Sequence, residues 1–337
     1  MKIDIKLNNA KGILILLVVF AHFLEIGMSL YIPLFVFIYS FHMPLFVMIS
    51  GYLSKRIRLN KIIRIAILLL IFQILLVLMF KYFGYVKVTK ISAMTVPVYQ
   101  LWYLLSLVVW YLIAFGLNRI QNRIISILII VLLVGISISS RYFTMDIAQI
   151  LPVTNANGYT FGFQRTLSFF PYFILGYLLP KDIMQKIYDL KPSFAKLIFI
   201  PFFLIVAYLG AKVKNINLLF LGSFGFSEID LVPHLSPMVQ LYIVYLIIPA
   251  LCLGVLNIIP SNKNIFTKLG SRTLPIFILH PIFILIGFHF KYIVFKFPVP
   301  IQLFIWFLFA VVTIILTGNK YIVLLFKSKL KNSSVTN

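Results

Sequence analysis

A chain of 337 residues with 62% hydrophobic and only 11% charged side chains, at a mean hydropathy of +1.07, is too apolar for a water-soluble domain and describes an integral membrane protein. Its net charge of +23 comes from 30 Lys and Arg against 7 Asp and Glu; in so apolar a chain this excess reads as membrane topology and attraction to anionic lipid headgroups, and nucleic acid is not an expected partner. The single cysteine, Cys252, excludes an intrachain disulfide and argues against a cysteine-based metal site or redox chemistry.

Apolar stretches of about 20 residues recur along the chain, the length a helix needs to cross the hydrocarbon core, and the strand alternation of an outer-membrane barrel is absent. The expected fold is all-α and polytopic. About ten transmembrane helices fall near residues 10–24, 31–53, 62–80, 96–117, 124–139, 161–179, 194–210, 237–257, 273–290 and 300–317. With the N-terminus inside, the cytoplasmic segments collect most of the Lys and Arg, so both termini are expected in the cytoplasm. Residues 1–326 read as one membrane domain and 327–337 as a short basic cytoplasmic tail. The first apolar segment lacks a small-residue cleavage site and reads as a retained helix rather than a signal peptide.

That first span, KGILILLVVFAHFLE, carries Lys11 and His22. Eleven residues are almost three helical turns, so the two lie on one face about 16 Å apart, a cation at one membrane edge and an imidazole deep inside. An ionisable group within a span is costly, which makes it a functional-site hypothesis by default. Glu25, three residues past His22, is close enough to orient the imidazole or handle its proton, or it marks the outer interface.

In the second span, YSFHMPLFVMISGYL places His42 two residues before Pro44. A proline frees a backbone carbonyl, tolerated at membrane depth only inside protein or near water, so the pair points to a polar cavity; a kinked helix with a hydrogen-bonded core histidine is the plainer alternative. Ser50 and Gly51 would allow close helix approach. KRIRLNKIIR then sets Lys55, Arg56, Arg58, Lys61 and Arg64 at the cytoplasmic boundary. Such clusters anchor topology, and they also suit the phosphates of a nucleotide-bearing donor, with Lys61 and Arg64 the preferred pair because they share a helix face.

The fourth span opens with Tyr99, Trp102 and Tyr103, interfacial anchors by position, Trp102 being also a candidate substrate contact. The irregular stretches 140–159 and 212–236 are assigned outside, where loops often carry function. In the sixth span Arg165 lies near the outer end, the less expected side for a cation. The ninth, RTLPIFILHPIF, holds His280 beside a proline, with His289 and His234 near the outer boundary. Imidazole is a common metal ligand, but nothing in these spacings selects a metal, and none is expected.

Taken together these motifs resemble the acyltransferase-3 membrane proteins, which O-acylate carbohydrates and other surface molecules across bacterial membranes. The resemblance covers nearly the whole chain. It rests on a basic residue separated by ten positions from an intramembrane histidine (Lys11, His22), on FHMPLFVMISGYL at 41–53, LWYLLSL at 101–107, the Arg165 segment ending in FFPYFILGYL, and ILHP at 278–281. The family often has arginine where Lys11 stands, and two arginines where this chain has Lys61 and Arg64, so phosphate contacts here are less bidentate.

The resemblance implies a donor such as acetyl-CoA used from the cytoplasm, an acceptor hydroxyl on a capsular or exopolysaccharide unit or a lipid-linked sugar, and a bacterial plasma-membrane location. Lys11, Lys61 and Arg64 would neutralise donor phosphates; His22 would act as general base or transient acetyl carrier, with Glu25 as its partner; Arg165 would stabilise the oxyanion or position the sugar; His42, Ser50, Trp102 and His280 would line the cavity. Some members carry a fused extracytoplasmic esterase-like domain, so this chain is expected to acylate its acceptor directly or through a separate extracytoplasmic transferase. The competing reading is a transporter or flippase of a lipid-linked sugar, with histidines and proline-broken spans lining a path.

Overall fold

Long apolar runs without turn signals leave the backbone of a membrane chain one local solution, the α-helix, which satisfies every N–H and C=O internally. The structure, a computed structural model, describes residues 4–84, 95–153, 155–213, 216–225 and 236–328. Among the described residues it is all helix and turn. The helices are α1 (Ile5–Leu24), α2 (Ile32–Tyr52), α3 (Leu59–Tyr82), α4 (Trp102–Leu117), α5 (Arg123–Ser139), α6 (Thr144–Ile150), α7 (Phe163–Leu178), α8 (Lys181–Asp189), α9 (Pro192–Lys212), α10 (Ile216–Leu221), α11 (Pro237–Ile258), α12 (Ile265–Gly270), α13 (Thr273–Val294), α14 (Val299–Thr317) and α15 (Lys320–Ser328). Short 3-10 turns cover Glu25–Leu30, Tyr99–Leu101 and Thr160–Gly162.

The protein is a polytopic, all-helical membrane protein. Among the described residues, seven helical stretches, beginning at Ile5, Ile32, Leu59, Tyr99, Pro237, Thr273 and Val299, are long and apolar enough to cross a membrane. They become eight if α5 and α6, bent by 101° at the break between them, form one broken span. The two other expected spans also fall on helix. Residues 161–179 map to α7, whose 16 residues reach only about 24 Å, less than a bilayer core. Residues 194–210 lie within α9. His234 with the rest of 226–235, residues 214 and 215, and the tail beyond Ser328 lie outside the described residues.

The chain divides into two compact units, Met1–Ile38 with Ile258–Asn337, and Tyr39–Asn257. In the first, α1 packs against α12, α13 and α14. Its start is capped by Asp4, whose side chain accepts the Leu7 N–H at 2.8 Å. Close approach of α1 and α12 needs glycine on both helices: a Cβ on Gly12 would strike the Phe266 backbone, and one on Gly270 the Asn8 backbone. Asn9, fully buried, locks the same contact. Its Nδ2 donates to the Pro260 and Asn262 carbonyls at 2.7 and 2.9 Å, and its Oδ1 accepts from Thr267 at 2.5 Å.

The far end of α1 is held as firmly. Phe23 stacks on Trp306 at 5.8 Å, and Trp306 Nε1 donates to the Tyr31 hydroxyl at 3.2 Å. That hydroxyl donates to Gln302, whose amide donates to the Phe297 carbonyl at 2.7 Å. The Glu25–Leu30 turn between Phe23 and Tyr31 is therefore bracketed by a satisfied polar network.

In the second unit, α4 packs against α3 and α7, and α5 against α7. Here too a pair of glycines meets across a helix contact: a Cβ on Gly51 of α2 would strike the Phe173 backbone, and one on Gly176 of α7 the Met48 backbone. Of the expected pair, Gly51 makes the close approach, and Ser50 instead bonds the Phe46 carbonyl and the Tyr103 hydroxyl. α2 runs through Pro44 as a continuous helix. Proline removes one helical N–H and so frees the carbonyl four residues back, that of Ser40. Ser40 and Pro44 line a cavity of about 20 Å³ with Tyr39, Arg141, Ser168 and Tyr245, room for one water molecule. The polar cavity expected near Pro44 is present, but His42 is not part of its wall; its ring packs edge-on against Tyr39 at 4.6 Å.

Candidate active site

Within the first unit, α1 and the turn after it bring His22 and Glu25 into contact, Nδ1 to Oε1 at 3.1 Å, a three-residue spacing that lets the carboxylate reach back over a single turn. His22 is 7% exposed and the Glu25 side chain 26%, so the pair sits where protein gives way to solvent access. A carboxylate accepts and cannot donate, so Nδ1 carries the proton and the lone pair of the neutral imidazole lies on Nε2.

His280, on α13, lies parallel to His22, ring centroids 5.3 Å apart and planes 16° from each other. It is fully buried. Pro281 takes away the N–H that would serve the Phe277 carbonyl, loosening the turn, and His280 Nδ1 donates to the adjacent Ile276 carbonyl at 3.1 Å. A carbonyl also only accepts, so His280 too presents its lone pair at Nε2, a buried acceptor with no hydrogen-bond partner among the described residues. The two imidazoles are thus stacked, each with Nδ1 directed to an acceptor, Glu25 for His22 and the Ile276 carbonyl for His280. Lys11 stands on the same uninterrupted α1, eleven residues before His22 and hence about 16 Å along the axis.

The remaining candidates belong to the second unit. Arg165 sits in the first turn of α7, which starts from a tight turn with Phe161 and Gly162 both left-handed, φ of 51° and 59°. Its Nε donates to the Leu221 carbonyl at 3.0 Å, and its guanidinium lies over the rings of Trp102 and Tyr159 at 5.1 and 5.3 Å. Trp102, expected at the interface, is instead buried, stacked on Phe169 at 5.3 Å. Cation and aromatic faces together give Arg165 a fixed direction.

Ser50 Oγ pairs with the Tyr103 hydroxyl at 2.7 Å and donates to the Phe46 carbonyl at 3.0 Å. Lys61 and Arg64 share one face of α3, with the Lys61 ammonium 5.0 Å over the Tyr111 ring. Lys55 is used differently. It donates to the Leu179 carbonyl at the end of α7, and burial, with Lys181 adding and Asp182 opposing, pulls its ammonium below the ordinary lysine range.

A family description of an acyltransferase domain, that of the acyltransferase-3 proteins, matches residues 4–319. The chain belongs to the acyltransferase-3 family. Neither the curated proteins nor the solved structures gave a significant match. The family match runs across both units and contains every candidate named above, so membrane acyl transfer is the general activity of this acyltransferase.

Two residues escape the sequence reading. Asn9 reads as a polar residue at a membrane edge, and its partners lie some 250 residues away in sequence. Arg141 is 4% exposed, with Nη2 donating to the Leu219 and Phe224 carbonyls at 3.0 and 3.3 Å. The signal that singles out Arg165, an arginine on the side where cations are scarce, applies equally to Arg141.

Proposed function

We propose that this acyltransferase moves an acetyl group from acetyl-CoA to a hydroxyl of a cell-surface polysaccharide, capsular or exopolysaccharide, at a bacterial plasma membrane. The observation that carries the reading is the His22–Glu25 pair, an imidazole and carboxylate at 3.1 Å on a membrane span. A spanning helix has no structural need for such a pair, and acyl transfer to an alcohol needs it.

In this reading the acceptor hydroxyl gives its proton to His22 Nε2 while its oxygen attacks the thioester carbonyl carbon. Glu25 keeps the Nδ1 tautomer and stabilises the imidazolium that forms, the role a carboxylate plays behind a catalytic histidine in hydrolases. The tetrahedral intermediate collapses by breaking its C–S bond, and the imidazolium returns the proton to the leaving thiolate. The ester and free CoA are the products. Glu25 would serve the positive ring equally if Nε2 instead carried the acetyl group transiently, so the carboxylate fits both routes, and the general-base route is the more direct of the two.

The buried Nε2 of His280 supplies an acceptor beside His22 that suits a hydroxyl donor. Lys11 is placed to neutralise a donor phosphate at the opposite end of α1, with an extended pantetheine arm spanning the distance. In the second unit, Lys61 and Arg64 suit phosphate oxygens as separate point contacts, and Arg165 suits an oxyanion or a sugar hydroxyl.

Thioester consumption separates this function from transport of a lipid-linked sugar. Purified protein in nanodiscs is expected to release CoA from acetyl-CoA in the presence of acceptor polysaccharide, and His22→Ala to release it at least about 100-fold more slowly, the usual contribution of a general base. A parent protein that binds acceptor and leaves the thioester intact would overturn the proposal.

A further inference from the structure

The first unit contains a second feature that the acyl-transfer chemistry does not use. An open cavity of about 640 Å³ lies where the end of α14, the start of α13, α12 and the start of α15 meet. Its volume is that of a small-molecule site. Its chemistry is divided: Lys268, Arg272 and Lys320 stand at helix ends, while Leu16, Val311 and Ile315 stand further into the spans. None of its lining residues is acidic.

Three properties select the occupant. The cations gather where the spans α13 and α14 begin and end, the level of lipid headgroups, and Arg272 is fixed there by its Nη1 bond to the Gly318 carbonyl at 2.7 Å. The apolar wall continues onto a face of α14 that is bare in this structure, with Ile315 at 64% and Val312 at 51% exposure, so hydrocarbon has an open way in from the side. The helix that completes the mouth, α15, carries Lys320 and Lys327 at its ends and exposed Tyr321, Leu324 and Leu325, the make-up of a helix that lies in the membrane interface. A soluble anion has no use for the apolar wall, and a neutral lipid none for three cations.

We infer that this cavity binds one anionic phospholipid, its phosphate against Lys268, Arg272 and Lys320 and the upper part of its acyl chains along Leu16, Val311 and Ile315. Lys11 does not line the cavity, although Leu16 on the same helix does, so competition with the donor is part of the test.

The test is native mass spectrometry of the full-length protein titrated with phosphatidylglycerol or with phosphatidylcholine of the same acyl chains. The parent is expected to retain one phosphatidylglycerol at concentrations where phosphatidylcholine dissociates. Lys268→Gln combined with Lys320→Gln, both exposed side chains, is expected to weaken phosphatidylglycerol about tenfold or more and leave phosphatidylcholine unchanged. Equal retention of the two lipids by the parent would overturn the inference without recourse to any variant. So would undiminished phosphatidylglycerol binding in the double variant. Displacement of the lipid by acetyl-CoA at matched concentration would reassign the cavity to the donor, and displacement by inorganic phosphate would reassign it to small anions.

Discussion

His22 and His280 lie one on the other, yet what holds each ring differs, and the difference divides their roles. A carbonyl behind His280 fixes a tautomer and does little for a positive ring; the carboxylate behind His22 does both. Under the proposed general-base route, the charge would therefore develop on His22, with His280 beside it as an acceptor. Glu25→Gln tests this at a single atom pair. The amide keeps the size of the side chain and removes the negative charge, and kcat is expected to fall about 10²- to 10⁴-fold with protein abundance unchanged. A kcat within threefold of the parent would assign Glu25 to the membrane interface and no more. The importance of His22 was legible from its eleven-residue spacing to Lys11, because one helix makes that distance deterministic. Asn9 was not legible, because what makes it matter is a set of carbonyls at Pro260 and Asn262 that only the tertiary fold brings near.

At the scale of helices, close contact is made by glycine against backbone, twice in each direction: Gly12 and Gly270 in the first unit, Gly51 and Gly176 in the second. Between helices surrounded by lipid, burial from water supplies little, and direct packing carries the contact. Gly51→Ala places a methyl against the Phe173 backbone, which cannot rotate aside as a side chain would. Overpacking of this kind costs about 1–3 kcal/mol, so the melting temperature of the detergent-purified protein should drop by several degrees. Gly254 on α11 is the matched control, since a Cβ there meets nothing within 4 Å, and Gly254→Ala should leave stability equal or raise it. Equal melting temperatures for the two variants would contradict the role given to the glycine contacts. Gly51 stood out in sequence beside Ser50; Gly12, Gly176 and Gly270 did not, because a glycine's partner is a backbone that sequence does not reveal.

For the molecule as a whole, the ten expected segments are each helical over most of their length, which hydropathy alone was enough to anticipate. Which of them cross a membrane was less legible. Apolar run length does not separate a span from a short buried helix such as α7, whose first turn carries Gln164, Arg165 and Thr166, or from the sharply bent α5–α6 pair. The division into two compact units was not visible either, since it groups both ends of the chain around α1 through contacts between residues more than 200 positions apart. What the sequence motifs did single out are residues that the structure brings into contact within each unit: His22 with Glu25 and His280 in one, Trp102 with Arg165 in the other.

Catalysis by His22 of acetyl transfer to a surface glycan is tested most directly by the O-acetyl content of that glycan, by NMR, in cells lacking this protein and in the same cells restored with the parent or with His22→Ala at equal membrane abundance. Acetylation is expected to be lost in the deletion, to return with the parent and to stay absent with His22→Ala. Acetylation restored in full by His22→Ala would contradict catalysis by His22.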